Sequence, residues 1–188
     1  MNLRRTLLPA LLLFALAAPS PAALRAEPPP PGRIELPKEQ MSTPQELAAK
    51  ADVVVLGSLE EEAKAYPTGR RVGGHPLLNY VQVLRIRSVL HGTAVSSGTL
   101  ELITDGFDPL PLPQDPLNLK YTGPLVRGDY VIFLRRVPQT ELYFIAGGWQ
   151  GLYPLQGGRI VALQKQGGFA AYGGLTVEEL KTKLKQRQ

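Results

Sequence analysis

The sequence predicts a mainly β domain, a small barrel or sandwich with a short helix at each end. Three observations carry this. Short runs of β-branched and aromatic residues recur along the chain, turns rich in glycine and proline separate them, and helix-capping signatures flank the series.

The elements follow in chain order. Thr43 suits an N-cap, Pro44 the first helical position and Glu46 the far side of a capping box, which predicts a helix from Pro44 to about Lys50. Val53-Val54-Val55-Leu56-Gly57 is a brief β-branched run that reads as a buried strand. Tyr80 to Leu90 reads as a long strand, its mixed faces pointing to a bulge near Leu84. His91-Gly92 turns into a third strand, Thr99 to Thr104. Asp129–Arg135 and Leu142–Ala146 form a hairpin across Pro138-Gln139-Thr140. Gly151–Leu155 and Arg159–Leu163 form another across Gln156-Gly157-Gly158, where glycine tolerates positive φ. Thr176 then caps a last helix with Glu179 three residues on, and Val177, Leu180 and Leu184 make one apolar stripe.

Ahead of these elements stands a leader. Arg4 and Arg5 precede an apolar run from Leu7 to Ala18, broken by Pro19-Ser20-Pro21, the three-part pattern of a secretory signal. The run is short of the roughly 20 residues a membrane span requires. We therefore expect residues 1–26 to be a signal peptide, 27–41 a proline-rich linker and 42–188 a single domain without a transmembrane segment. Pro28 to Pro31 would make that linker stiff and extended. Localisation follows as exported, either secreted or held in the periplasm or at the cell surface.

Composition narrows the chemistry. Zero cysteines exclude disulfides, thiolate metal sites, a cysteine nucleophile and lipid attachment through cysteine. The net charge of +5 comes from the two ends, because Arg4, Arg5 and Arg25 lie in the leader and Lys181, Lys183, Lys185 and Arg187 in the tail. The body between them is balanced, so it lacks the clustered basic face of a nucleic-acid binder.

The capped helix, the run Ala51-Asp52-Val53-Val54-Val55-Leu56-Gly57, the long strand ending in Val89 to Gly92, and Gly128-Asp129-Tyr130-Val131-Ile132-Phe133-Leu134 together resemble a class of exported bacterial domains. Their layout is similar to the OB-like barrel of netrin-like modules and tissue inhibitors of metalloproteinases. The resemblance covers roughly residues 43 to 165 and implies a small OB-like β-barrel. Those inhibitors act through an N-terminal cysteine that this chain lacks, so the resemblance carries no functional residue over.

Catalytic and metal-binding signatures are sparse. The histidines are His75, in a Gly73-Gly74-His75-Pro76 loop, and His91, in a turn; neither has partners at the spacing of a triad or a zinc site. Asp105, Asp108 and Asp115 share one loop, but the spacing fits no EF-hand and four prolines restrict its wrapping around an ion. Glu60-Glu61-Glu62 reads as a solvated strand end. No metal or cofactor is expected. Gly147-Gly148-Trp149-Gln150-Gly151 sets the single tryptophan among glycines, either as an exposed platform or as a cap on the barrel core.

Antiparallel strands would gather the connections Glu60 to Asn79, Asp105 to Gly128 and Gly147 to Gln150 at one rim. Trp149 should then lie near His75 or the Asp105–Lys120 loop, and the alternating leucines and prolines from Leu110 to Leu119 would cover the barrel mouth. The candidate ligand-binding residues are Trp149, His75, Asp105, Asp108 and Tyr121. The expected function is a non-enzymatic binding module for an extracellular or envelope protein or polymer. Two alternatives stand beside it: a protease inhibitor acting through the rigid Pro109–Pro116 loop, and a hydrolase built from dispersed carboxylates.

Overall fold

The computed structural model describes residues 27–93 and 98–186, so the expected leader lies outside the described residues. Strand accounts for 41% of the described residues and helix for 20%, which makes the protein mainly β, as its patterning predicts. Helix α1 spans Pro44–Lys50, with the Thr43 hydroxyl accepting from the Glu46 N–H. The strands are β1 (Val53–Leu59), β2 (Lys64–Val72), β3 (His75–Gly92), β4 (Thr99–Phe107), β5 (Gly128–Arg136), β6 (Leu142–Ile145), β7 (Leu152–Gln156) and β8 (Arg159–Ile160), and helix α2 (Val177–Lys185) closes the chain behind a complete capping box.

Five of these strands form a near-barrel ring. Their order is β1-β3-β4-β6-β5, and β5 returns to pair with β1 along its whole length, from Val53↔Leu134 to Leu59↔Gly128. All the ring pairs are antiparallel except β4–β6. This is the Greek-key connectivity of a small, partly open five-stranded barrel. Strands β7 and β8 extend the sheet beyond β5.

The continuous apolar runs in β1 and β5 have a physical cause: both strands are covered on both faces. Val53, Val55, Ile132 and Leu134 point into the ring with Leu84, Leu100 and Leu102. Their neighbours Val54, Val131 and Phe133 point outward and are buried by Leu47 of α1, Leu180 and Leu184 of α2, and Phe169 and Tyr172. Each such side chain taken from water contributes roughly 1.5–3 kcal/mol. The rings of Phe133 and Tyr172 stack at 5.9 Å, and Tyr153 sits 5.7 Å from each.

Several expectations are corrected. Glu60 to Asn79 is not a loop: it holds β2 and the first part of β3, paired from Lys64↔Val81 to Val72↔His75. The irregularities of β3 lie opposite the Val54/Val55 and Leu56/Gly57 steps of β1, where Leu90 and Arg87 drop out of register, and not at Leu84. Leu84 holds a fully buried core position, so extra residues are accommodated where the strand bends to close on β1. Strand β8 ends at Ile160, where residues 174–175 take its partner groups: the Ile160 N–H donates to the Leu175 carbonyl and the Gly174 N–H to the Ile160 carbonyl.

The proline-rich segment does not stand free. From Pro31 onward it packs on the sheet, with Ile34 and Leu36 buried against Val81, Ile103, Leu142 and Phe144. Apolar side chains spaced between prolines find a groove on the outer face of β3, β4 and β6, and their burial outweighs the stiffness read from composition.

Candidate functional site

The ring has one weak seam. Strands β4 and β6 pair only through Glu101↔Leu142 and Leu102↔Tyr143. Past that two-residue ladder lies a cleft of about 840 Å³. Ile103–Asp105 of β4 and Phe144–Ile145 of β6 line it, together with the segment 36–41, the loop residues 119–122, the Trp149 turn and residues 163–167.

Three amide side chains hold the irregular walls of this region. Gln82, only 3% exposed, accepts from the Leu125 N–H and donates to the Leu125 carbonyl, both at 2.9 Å. Gln150 does the same for Met41, accepting from its N–H at 2.7 Å and donating to its carbonyl at 3.0 Å. Asn79 Nδ2 donates to the Pro31 and Ile34 carbonyls. Gln82 and Gln150 each supply one donor and one acceptor, and Asn79 two donations, and so substitute for a strand partner where no strand is present.

The charged centre of the cleft is a Lys38–Asp105 ion pair in which the ammonium reaches both carboxylate oxygens. Lys38 Nζ also lies 4.1 Å from the centre of the Tyr121 ring, a cation–π contact. Burial pulls Lys38 below its ordinary value and pushes Asp105 above its own, in each case against the attraction of the partner. Desolvation thus cancels much of the pairing energy, and the pair acts mainly to register the 36–41 segment against β4. Tyr121 is raised as well, first by burial and then by the Asp105 charge.

The structure brings three of the five candidate residues to this cleft: Trp149, Asp105 and Tyr121. His75 opens β3 just behind it, its ring 5.8 Å from Phe107, which in turn meets Tyr121 at 4.8 Å. Asp108 lies exposed past the end of β4; its charge, after burial, helps raise the Tyr80 hydroxyl. The Trp149 indole N–H donates to the Asn118 carbonyl at 2.8 Å, so the Trp turn and the long loop share a rim. The same bond and its packing against the ring interior make Trp149 a strut between core and loop, half-buried at the edge of the cleft.

Sequence reasoning missed Lys38, Gln82 and Gln150. None has a local motif, since their partners are 67, 43 and 109 residues away. Among the described residues, no group of three or more His, Cys, Asp or Glu side chains is placed to hold a metal ion, and no helix is long and apolar enough to cross a membrane. No protein-family model matches the chain, and a search of curated proteins finds no relative of it.

Proposed function

We propose that this protein is an exported, non-enzymatic binding module that takes its ligand in the cleft at the β4–β6 seam. The observation that carries the reading is the way that cleft is built. The half-buried Gln150 amide, bonded to both backbone groups of Met41, and the Lys38–Asp105 ion pair brace its irregular walls into fixed positions, which lowers the ordering cost of capturing a partner. Its lips remain apolar and accessible, with Leu119 at 69% and Leu163 at 41% exposure. The two carboxylates lining it are engaged already: Asp105 with Lys38, and Glu39 with Lys50 and Arg135. Export rests on the leader pattern in residues 1–26.

The test is capture from envelope and medium fractions by the wild-type protein and by a Leu119→Glu, Leu163→Glu variant. Both positions are exposed, so the fold tolerates the change. The reading requires a species retained by the wild type and lost by the variant; equal retention would overturn it.

One observation favours a second reading, the loop-inserting protease inhibitor. Leu110 and Leu112 are 71% and 68% exposed on a braced loop, in which Asn118 Nδ2 and the Asp115 N–H both donate to the Leu112 carbonyl. Inhibition of an extracellular protease that vanishes on Leu110→Ala, Leu112→Ala while cleft capture persists would establish that reading instead.

A further inference from the structure

The segment lining the cleft from Leu36 to Gln40 is in an unusual state for a docked chain. Its neighbours are held through their backbone, Ile34 by Asn79 and Met41 by Gln150. Between them, no backbone carbonyl of residues 35–40, and no N–H of the five that have one (Pro37 has none), has a hydrogen-bond partner among the described residues. Leu36 is buried and the Lys38 side chain is anchored on Asp105, so the segment is fixed while its backbone stays unpaired. A fixed, unpaired backbone is the template that an added strand uses, and here Pro37 contributes only its carbonyl to it.

The space beside it has the matching size. A residue of extended chain occupies about 3.4 Å along the strand, 4.8 Å across and 10 Å through the sheet, or about 160 Å³, so a volume near 840 Å³ takes roughly five residues. The lips define the side chains that would suit it. One carries Leu119-Lys120 and the other Leu163 with Lys165, and both lysines are exposed and in no ion pair among the described residues. Each lip therefore offers an apolar contact next to an uncompensated positive charge. Aromatic stacking of a sugar is poorly served at Tyr121, because Lys38 covers its face.

From this we infer that the cleft binds an extended polypeptide segment of apolar and acidic residues from a partner protein, pairing its backbone with residues 36–40 and placing its carboxylates between Lys120 and Lys165. This deepens the binding-module reading and rests on it.

The experiment pans a random peptide library against protein purified after expression of the full chain, then titrates selected peptides by the fluorescence of Trp149, the only tryptophan. Enrichment of acidic–apolar sequences is expected. N-methylation of alternate residues in a selected peptide should weaken binding at least tenfold, and Lys120→Glu, Lys165→Glu should do the same while favouring basic analogues. Those lysines are exposed, so the variant keeps its fold, confirmed by an unchanged urea midpoint. Absence of enrichment, or binding indifferent to both N-methylation and lip charge, overturns the inference. Binding of polygalacturonate with no peptide selected would also overturn it but leave the binding-module reading standing; the loss of both, with nothing captured from the envelope, would remove the two together.

Discussion

Replacing Gln82 by leucine tests whether a buried amide holds the loop before β5 to β3. Leucine is close in volume to glutamine, so the change removes hydrogen bonding with little cavity. The side chain is 3% exposed, and Leu125, whose N–H and carbonyl it serves at 2.9 Å, is 8% exposed. Two backbone groups would lose their partners in a place with little access for water. At about 1–3 kcal/mol for each buried orphan, the loss is roughly 2–6 kcal/mol, centred near 4. Domains of this size shift by about 2–4 °C per kcal/mol, so the melting temperature should fall by about 8–16 °C. Urea unfolding with an unchanged slope would give the free energy directly. The emission of Trp149 in native buffer supplies a local readout, since its indole is tied to Asn118 in the same loop. A loss below about 1 kcal/mol with unshifted emission would refute the reasoning, showing that Leu125 recovers its bonds from water and that Gln82 does not set the loop.

Tyr153→Phe should raise stability by about 1 kcal/mol, because the buried Tyr153 hydroxyl has no hydrogen-bond partner among the described residues; thermal unfolding reads the gain, and a loss would reveal a bond. Gly106→Ala should cost about 2 kcal/mol or more, since an added Cβ would stand 2.6 Å from the Gly123 Cα, backbone against backbone with no rotamer to yield; a urea midpoint within error of wild type would mean that the 121–125 loop slides outward freely. The cap of α2 carries a pH dependence. The Thr176 N–H and hydroxyl hold Glu179 below its ordinary value of 4.5. A depressed folded value means that this contribution is present above the ordinary carboxylate value and is lost as pH falls through the depressed one. Glu179→Gln should therefore flatten the acid-side decline in stability, measured as melting temperature against pH, and an identical slope in wild type and variant would reject the assignment.

The elements that local chemistry specifies were legible in the chain. Thr43 with Glu46 and Thr176 with Glu179 announce both helices, and the structure forms both caps. The runs at Val53 and Tyr130 announce buried strands, and Gly157-Gly158 the turn between β7 and β8, where both glycines have positive φ. Strand β2 was not legible. Its sequence, interrupted by Pro67 and Gly69 and exposed along most of its length, has no alternation to read, and it is a strand only because β3 overhangs the ring and offers an edge. The docking of residues 31–41 was hidden for a related reason, since a proline-rich composition looks the same whether or not a groove awaits Ile34 and Leu36.

The candidate site divides along the same line. Trp149 and Asp105 drew attention by residue type, and an alternating-strand argument placed the Trp turn near the long loop. The two-residue β4–β6 ladder, the cleft beside it and the Lys38, Gln82 and Gln150 contacts came only from the folded chain. By itself, then, the sequence determined the periodicities, caps and turns, because those energies are settled within a few residues. Tertiary structure alone decided which edges stay unpaired and which polar groups meet across the molecule. A ladder or an amide bond between distant residues forms only after the whole sheet has brought their backbones to within 3 Å or so.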